Sequence, residues 1–147
     1  MKKRLLIVDD DVDLLESLKL LLETSFDVCL TRSAAEAFFE MERGFHPDAI
    51  VLDYYMPTMD GAEFLAELKR QEKLIPVLVV TANWDAAAQS PEVAEREILR
   101  KPFTYEQLRE KLDRVLRGSA GETSARFSLF ASLLIALSYA TLTGRIL

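Results

Sequence analysis

Leu5-Leu6-Ile7-Val8 runs without a break into Asp9-Asp10-Asp11. Four apolar residues followed at once by three acids set the reading of everything around them. An uninterrupted apolar run this short suits a strand covered on both faces, because both of its side-chain rows must then be buried. The acids mark where that strand ends. Directly afterwards the period changes, with Leu14, Leu15, Leu18, Leu21 and Leu22 recurring at helical spacing.

The same alternation continues outward from this point. Asp27 to Thr31 reads as a second strand, and Ser33-Ala34-Ala35-Glu36 has the form of a capping box opening a helix to about Arg43. Ala49 to Leu52 is a third strand ending at Asp53, and Gly61 to Arg70 a third helix. Pro76 precedes a fourth strand, Val77-Leu78-Val79-Val80, and Ile98-Leu99 is a brief fifth. Thr104-Tyr105-Glu106-Gln107 caps a last helix carrying Leu108, Leu112, Val115 and Leu116 on one face. Between the fourth and fifth strands, Ala86-Ala87-Ala88 and Ser90-Pro91 predict an atypical, short or mobile fourth helix, with mobility or irregular structure over 84–95 and weak helical character around Glu92–Arg96. Five strand-then-helix units predict an α/β fold, a doubly wound five-stranded parallel sheet flanked by helices.

Half of the residues are apolar and 29% are charged, so the chain can bury a sizeable core. The net charge of −6 argues against a nucleic-acid-binding surface. The single cysteine, Cys29, cannot form an internal disulfide and suits a reducing compartment; its apolar setting reads as core. Met1-Lys2-Lys3-Arg4 is basic, but the apolar run after it is too short for a signal peptide, which places the domain in the cytoplasm. His46, beside Pro47 and without a second His or Cys nearby, reads as surface.

In doubly wound sheets ligands sit beyond the carboxyl ends of the strands. Those ends carry Asp9-Asp10-Asp11, Asp53, Thr81 and Lys101. Two carboxylates roughly 5 Å apart repel by about 3 kcal/mol at an effective dielectric near 20. Several together call for a shared proton or a cation between them. Oxygen ligands with no nearby His or Cys favour Mg²⁺. Lys101 offers a point charge and Thr81 a hydroxyl, both suited to phosphoryl oxygens. A carboxylate nucleophile, a metal, a lysine and a hydroxyl make a phosphoryl-acceptor site.

Val8-Asp9-Asp10, the segment from Asp53-Tyr54-Tyr55-Met56-Pro57 to Asp60-Gly61, Thr81-Ala82 and Lys101-Pro102-Phe103 together resemble the signature of two-component response-regulator receivers, in order and spacing, over residues 3 to about 117. The resemblance implies a flavodoxin-like receiver fold and a role for each residue. Asp53 would accept a phosphoryl group from a sensor histidine kinase or phosphotransfer protein. Asp10, Asp53 and the backbone carbonyl of Tyr55 would hold Mg²⁺, with Asp9 acting through water. Thr81 would move to bond the phosphoryl group, Lys101 would pair with it, and Pro102 would be cis. The chain departs from the pattern at Ile98, where the family has an aromatic ring that turns inward with the threonine, and in its fourth helix. Tyr55 and Asn83 flank the site and are expected to tune water access.

From Gly118-Ser119-Ala120-Gly121 onward the composition shifts. Phe127 to Gly144 holds no charge and, as a helix, would run about 27 Å, near the thickness of a bilayer core. Small residues recur every fourth position from Ser124 to Gly144. The expected organisation is therefore a receiver over 1–118 and an apolar helix over 119–147. That helix would act as a membrane anchor, pair with its copy in a homodimer through 122–144, pack on the receiver, or be the start of a longer segment or a by-product of truncation. Such a tail is no output domain, so the reading is a stand-alone, non-enzymatic regulator signalling by protein contact. Two rivals stand beside it. One is a pseudo-receiver that binds partners without phosphorylation. The other is a haloacid-dehalogenase-type phosphatase, whose Asp-x-Asp-x-Thr motif Asp9-Asp10-Asp11-Val12-Asp13 matches only in its paired acids.

Overall fold

The strand residues alternate strictly between two apolar clusters. Leu6, Val8, Ile50, Leu52, Val77 and Val79 face one way; Leu5, Ile7, Val51, Leu78, Val80 and Leu99 face the other. This is the period-2 alternation of a sheet buried on both faces. The computed structural model describes residues 1–118. Within it the strands are β1 (Lys3–Val8), β2 (Phe26–Thr31), β3 (Ala49–Asp53), β4 (Val77–Thr81) and β5 (Glu97–Arg100). All pair in parallel, in the order β2-β1-β3-β4-β5.

The helices are α1 (Val12–Leu22), α2 (Ala34–Glu42), α3 (Gly61–Arg70) and α4 (Trp84–Ala88), followed by α5, which occupies residues 105–118. Apolar residues of α2, α3 and α4 cover one sheet face. Leu15, Leu18 and Leu22 of α1, with Leu108, Leu112 and Val115 of α5, cover the other. The expected doubly wound sheet is therefore present. Met1–Leu116 form one compact unit. The helix expected over 119–147, with its anchor, pairing and packing alternatives, lies outside the described residues.

Local signals explain the helix starts. Asp11 caps α1 by accepting from the Leu14 N–H, and Ser33 caps α2 by accepting from the Glu36 N–H. The box expected at Ser33–Glu36 closes differently, because Glu36 accepts from the Arg32 N–H instead of that of Ser33. A reciprocal box forms at α3, between Asp60 and Glu63. Leu21 departs from its expected core position and is 47% exposed, since the buried stripe of α1 narrows to Leu15, Leu18 and Leu22. Cys29 is only partly buried, packed at the edge of one core cluster.

The fourth helix is short, as the sequence predicted. It sits earlier than the weak signal around Glu92–Arg96 suggested: α4 is five residues, and turns occupy the stretch up to β5. Ala87 and Val93, both fully buried, anchor this segment to the core. Lys101-Pro102 is cis, as the resemblance implied.

Candidate functional site

Strand order reverses at β1. The chain passes from β1 outward to β2 and then returns to β3 on β1's other side. Helices leave the two strands on opposite faces at such a point, and a crevice opens at their carboxyl ends. Asp9 and Asp10 follow β1, and Asp53 ends β3. One carboxylate oxygen from each of these three residues lies within 4.8 Å of the others. Asp9 and Asp53 are buried, whereas Asp10 is exposed.

Lys101 reaches this cluster from the end of β5. Its ammonium donates to Asp9 Oδ2 at 2.8 Å and lies 3.6 Å from Asp53 Oδ1. The other Asp9 oxygen accepts the Asp11 N–H at 2.9 Å. Asp53 Oδ1 accepts the Tyr55 N–H at 3.4 Å. The structure thus gathers Asp9, Asp10, Asp53 and Lys101, drawn from three strands, at one point.

Charge balance shapes the protonation of the cluster. Burial raises the pKa of Asp53 to about 6, and Asp9 and Asp10 push it the same way; Lys101 and the Tyr55 N–H oppose them without prevailing. Burial also works against the Lys101 ammonium, but its hydrogen bond to Asp9 and the charge of Asp53 prevail and hold its pKa above the ordinary lysine value. Three carboxylates against one ammonium leave the pocket acidic. All three offer hard oxygens, a donor set that fits Mg²⁺.

Thr81 ends β4 and is fully buried. Its hydroxyl is committed to Asn83: it accepts the Asn83 N–H at 3.1 Å and donates to the Asn83 carbonyl at 3.2 Å. Asn83 in turn caps α4, its side chain accepting from the Ala86 N–H. Sequence reasoning placed Asn83 beside the site but missed this capping role, for which Asn three residues before Ala86 was the available signal. Tyr55 is 47% exposed and meets Tyr54 edge-on, ring centroids 5.0 Å apart. Ile98 is partly buried and packs against the core cluster on the α4 side. His46 is exposed.

The loop joining β3 to α3 holds a feature the sequence did not announce. The Gly61 N–H donates to the Tyr54 carbonyl at 2.7 Å, and a Cβ on Gly61 would lie 2.8 Å from Tyr54 Cα. Only glycine lets the start of α3 press this closely on the residue after Asp53.

Comparison with known proteins agrees with this geometry. Residues 5–113 match the response regulator receiver domain. The two-component response regulator PhoP of Pseudomonas aeruginosa is 32% identical over 121 residues, covering 80% of this chain and 53% of that protein. The response regulator MprA of Mycobacterium bovis is 34% identical over 128 residues, covering 85% of this chain and 55% of its own. The chain therefore spans about half the length of the curated relatives it matches. Among solved structures, the Vibrio cholerae chemotaxis protein CheY4 superposes with a TM-score of 0.70 at 27% identity, covering 78% of this chain and 99% of that one. TrrA of Thermotoga maritima, in complex with Mg²⁺ and BeF, gives 0.68 at 28%, covering 77% and 98%. With the parallel sheet, the acidic cluster at its reversal point and this match together, the chain belongs to the response regulator receiver domains of two-component systems.

Proposed function

We propose that Asp53 of this chain accepts a phosphoryl group from the phosphohistidine of a sensor histidine kinase or phosphotransfer protein, in a Mg²⁺-dependent reaction. The observation that carries the reading is the placement of Asp53 at the end of β3, 3.6 Å from the Lys101 ammonium and within 4.8 Å of the oxygens of Asp9 and Asp10. An Asp53 carboxylate oxygen attacks phosphorus, the P–N bond breaks, and the donor imidazole departs with its electron pair and takes up a proton. Lys101 neutralises charge on the phosphoryl oxygens, and the Thr81 hydroxyl donates to one of them.

The residues that would hold Mg²⁺ are Asp10, Asp53 and the Tyr55 backbone carbonyl. Asp9 would act through water, which suits a carboxylate whose two oxygens already accept from Asp11 and Lys101. When bound, the ion supplies positive charge that lets carboxylates and a phosphoryl group share one pocket.

The partner of the described domain is a protein, read out by contact with its faces; the net charge of −6 supports this over nucleic acid. A phosphohistidine donor and a half-buried free thiol support a cytoplasmic setting. Intact-mass measurement after incubation with Mg²⁺ and acetyl phosphate tests the acceptor. The expected result is one phosphoryl adduct on the wild type and none on Asp53→Asn. No wild-type adduct would instead favour a receiver that works unphosphorylated, and turnover of a phosphate ester would favour a phosphatase.

A further inference from the structure

A threonine hydroxyl carries a single proton. In this structure the Thr81 proton points to the Asn83 carbonyl, 3.2 Å away. The same hydroxyl cannot donate to that carbonyl and to a phosphoryl group on Asp53 together. Resting on the function proposed above, phosphoryl binding by Thr81 therefore frees the Asn83 carbonyl, leaving Asn83 tied to Thr81 by its N–H alone.

That release falls on a weak element. The Asn83 carbonyl is also the first acceptor of α4, taking the Ala87 N–H at a long 3.3 Å. Its side chain supplies the cap through the Ala86 N–H at 3.2 Å. A five-residue helix lies far below the length that is stable without such help, so it follows its cap.

The first residue of α4 is Trp84, an indole left 48% exposed. It lines a cavity of about 750 Å³ whose wall is apolar at Ile98, Leu99 and Pro102 and charged at Lys101, Lys111 and Arg114. On the β5 side of this cavity stands Ile98, a β-branched side chain that is stiff at χ1 and offers no ring to swing. Large apolar surface is therefore available on the α4 side, beside empty space. Burying that indole is favourable once the residue before the helix is held to Thr81 by one hydrogen bond instead of two.

We propose that Asp53 phosphorylation is transmitted in this chain through Thr81, Asn83 and Trp84: the Thr81 hydroxyl leaves the Asn83 carbonyl for the phosphoryl group, α4 shifts, and Trp84 closes into the cavity beside Ile98. Trp84, a positioning and signalling residue, supplies from α4 the aromatic surface that β5 lacks.

Trp84 is the single tryptophan of the chain, so intrinsic emission reports it alone. The experiment uses full-length protein with Mg²⁺ and acetyl phosphate, reading emission, acrylamide quenching and intact mass in the same sample. The expected result is an adduct accompanied by a blue shift of several nanometres and a roughly two-fold fall in quenching. Mg²⁺ alone should produce neither. Ile98→Phe fills the cavity and should take up phosphate as the wild type does while the shift disappears. Thr81→Ala, compared at equal adduct occupancy, should show no shift. An adduct with unchanged or red-shifted emission, or a shift that survives Thr81→Ala, overturns the inference and leaves Asp53 as acceptor. Absence of any adduct overturns the acceptor reading and this inference with it.

Discussion

Lys101 donates to Asp9 at 2.8 Å, although its ammonium also has Asp53 within 3.6 Å. One cation from β5 therefore ties down a carboxylate 92 residues earlier in the chain, at the end of β1. Both acids are buried, so the pairing counts for more than a surface ion pair. Lys101→Met should lower stability at pH 7 by about 2 kcal/mol, because two buried carboxylates lose their counter-charge. At pH 5 Asp53 holds a proton in the folded state, and the loss should be smaller. Urea denaturation at the two pH values checks this; equal losses would mean the ammonium does not balance Asp53.

Asp53 itself gives the metal-free protein a pH signature. Its pKa rises from 3.8 to about 6 on folding, chiefly through burial. The folded state then binds this proton more tightly than the unfolded state does, so protonation favours folding. The contribution is fully present below about pH 4 and is lost as pH rises through 6. With allowance for solvent screening, wild type should lose about 1–2 kcal/mol relative to Asp53→Asn between pH 4 and 7. Mg²⁺ favours the charged carboxylate and should flatten this difference. Thermal melts of both proteins with and without Mg²⁺ provide the reading, and parallel curves without metal would sink the argument.

The sheet was legible because burial on both faces leaves a signature that survives without any tertiary information. Leu5–Val8, Ala49–Leu52 and Val77–Val80 are apolar at every position, and each lies within a strand of the structure. The acids and Thr81 were legible because they directly follow such runs, and Lys101 because it lies two residues past the brief run Ile98-Leu99. Other features depend on contacts that no local pattern encodes. α4 falls within the expected 84–95, but the weak helical signal at Glu92–Arg96 forms turns, because Asn83 caps the helix at its early end and Pro91 falls among turns. The preference of Lys101 for Asp9 is a matter of tertiary reach. Leu21 has the spacing of a core residue, yet the narrow buried stripe of α1 leaves it in solvent.

Gly61 read in the sequence as the start of the third helix, with nothing to show why that position needs glycine. In the structure it opens α3 against the backbone of Tyr54. Helix propensity alone would favour alanine there by roughly 1 kcal/mol. The 2.8 Å approach to Tyr54 Cα is the larger effect, since backbone atoms cannot give way as a side-chain tip can. Gly61→Ala should therefore destabilise the domain by about 1–3 kcal/mol. It should also weaken Mg²⁺ binding, because the displaced segment follows Asp53 directly and carries the Tyr55 carbonyl. Chemical denaturation and a Mg²⁺ titration measure the two effects, and a stabilised variant would show that propensity prevails.

Thr58 poses the opposite problem in the same loop. It sits at φ +71°, in a turn closed by the Met59 N–H donating to the Pro57 carbonyl at 2.9 Å. A β-branched residue in the left-handed region is strained, because its Cβ crowds the neighbouring carbonyl. Glycine removes that crowding but brings a more flexible unfolded chain, whereas asparagine tolerates the conformation without as large an entropic loss. Thr58→Asn should therefore stabilise the protein by roughly 0.5–1 kcal/mol, and Thr58→Gly by less. Thr58→Val keeps the branch and loses the hydroxyl, so it should give no gain. Urea midpoints for the three variants rank them directly. A gain with valine equal to that with asparagine would locate the effect in the hydroxyl and not in the backbone.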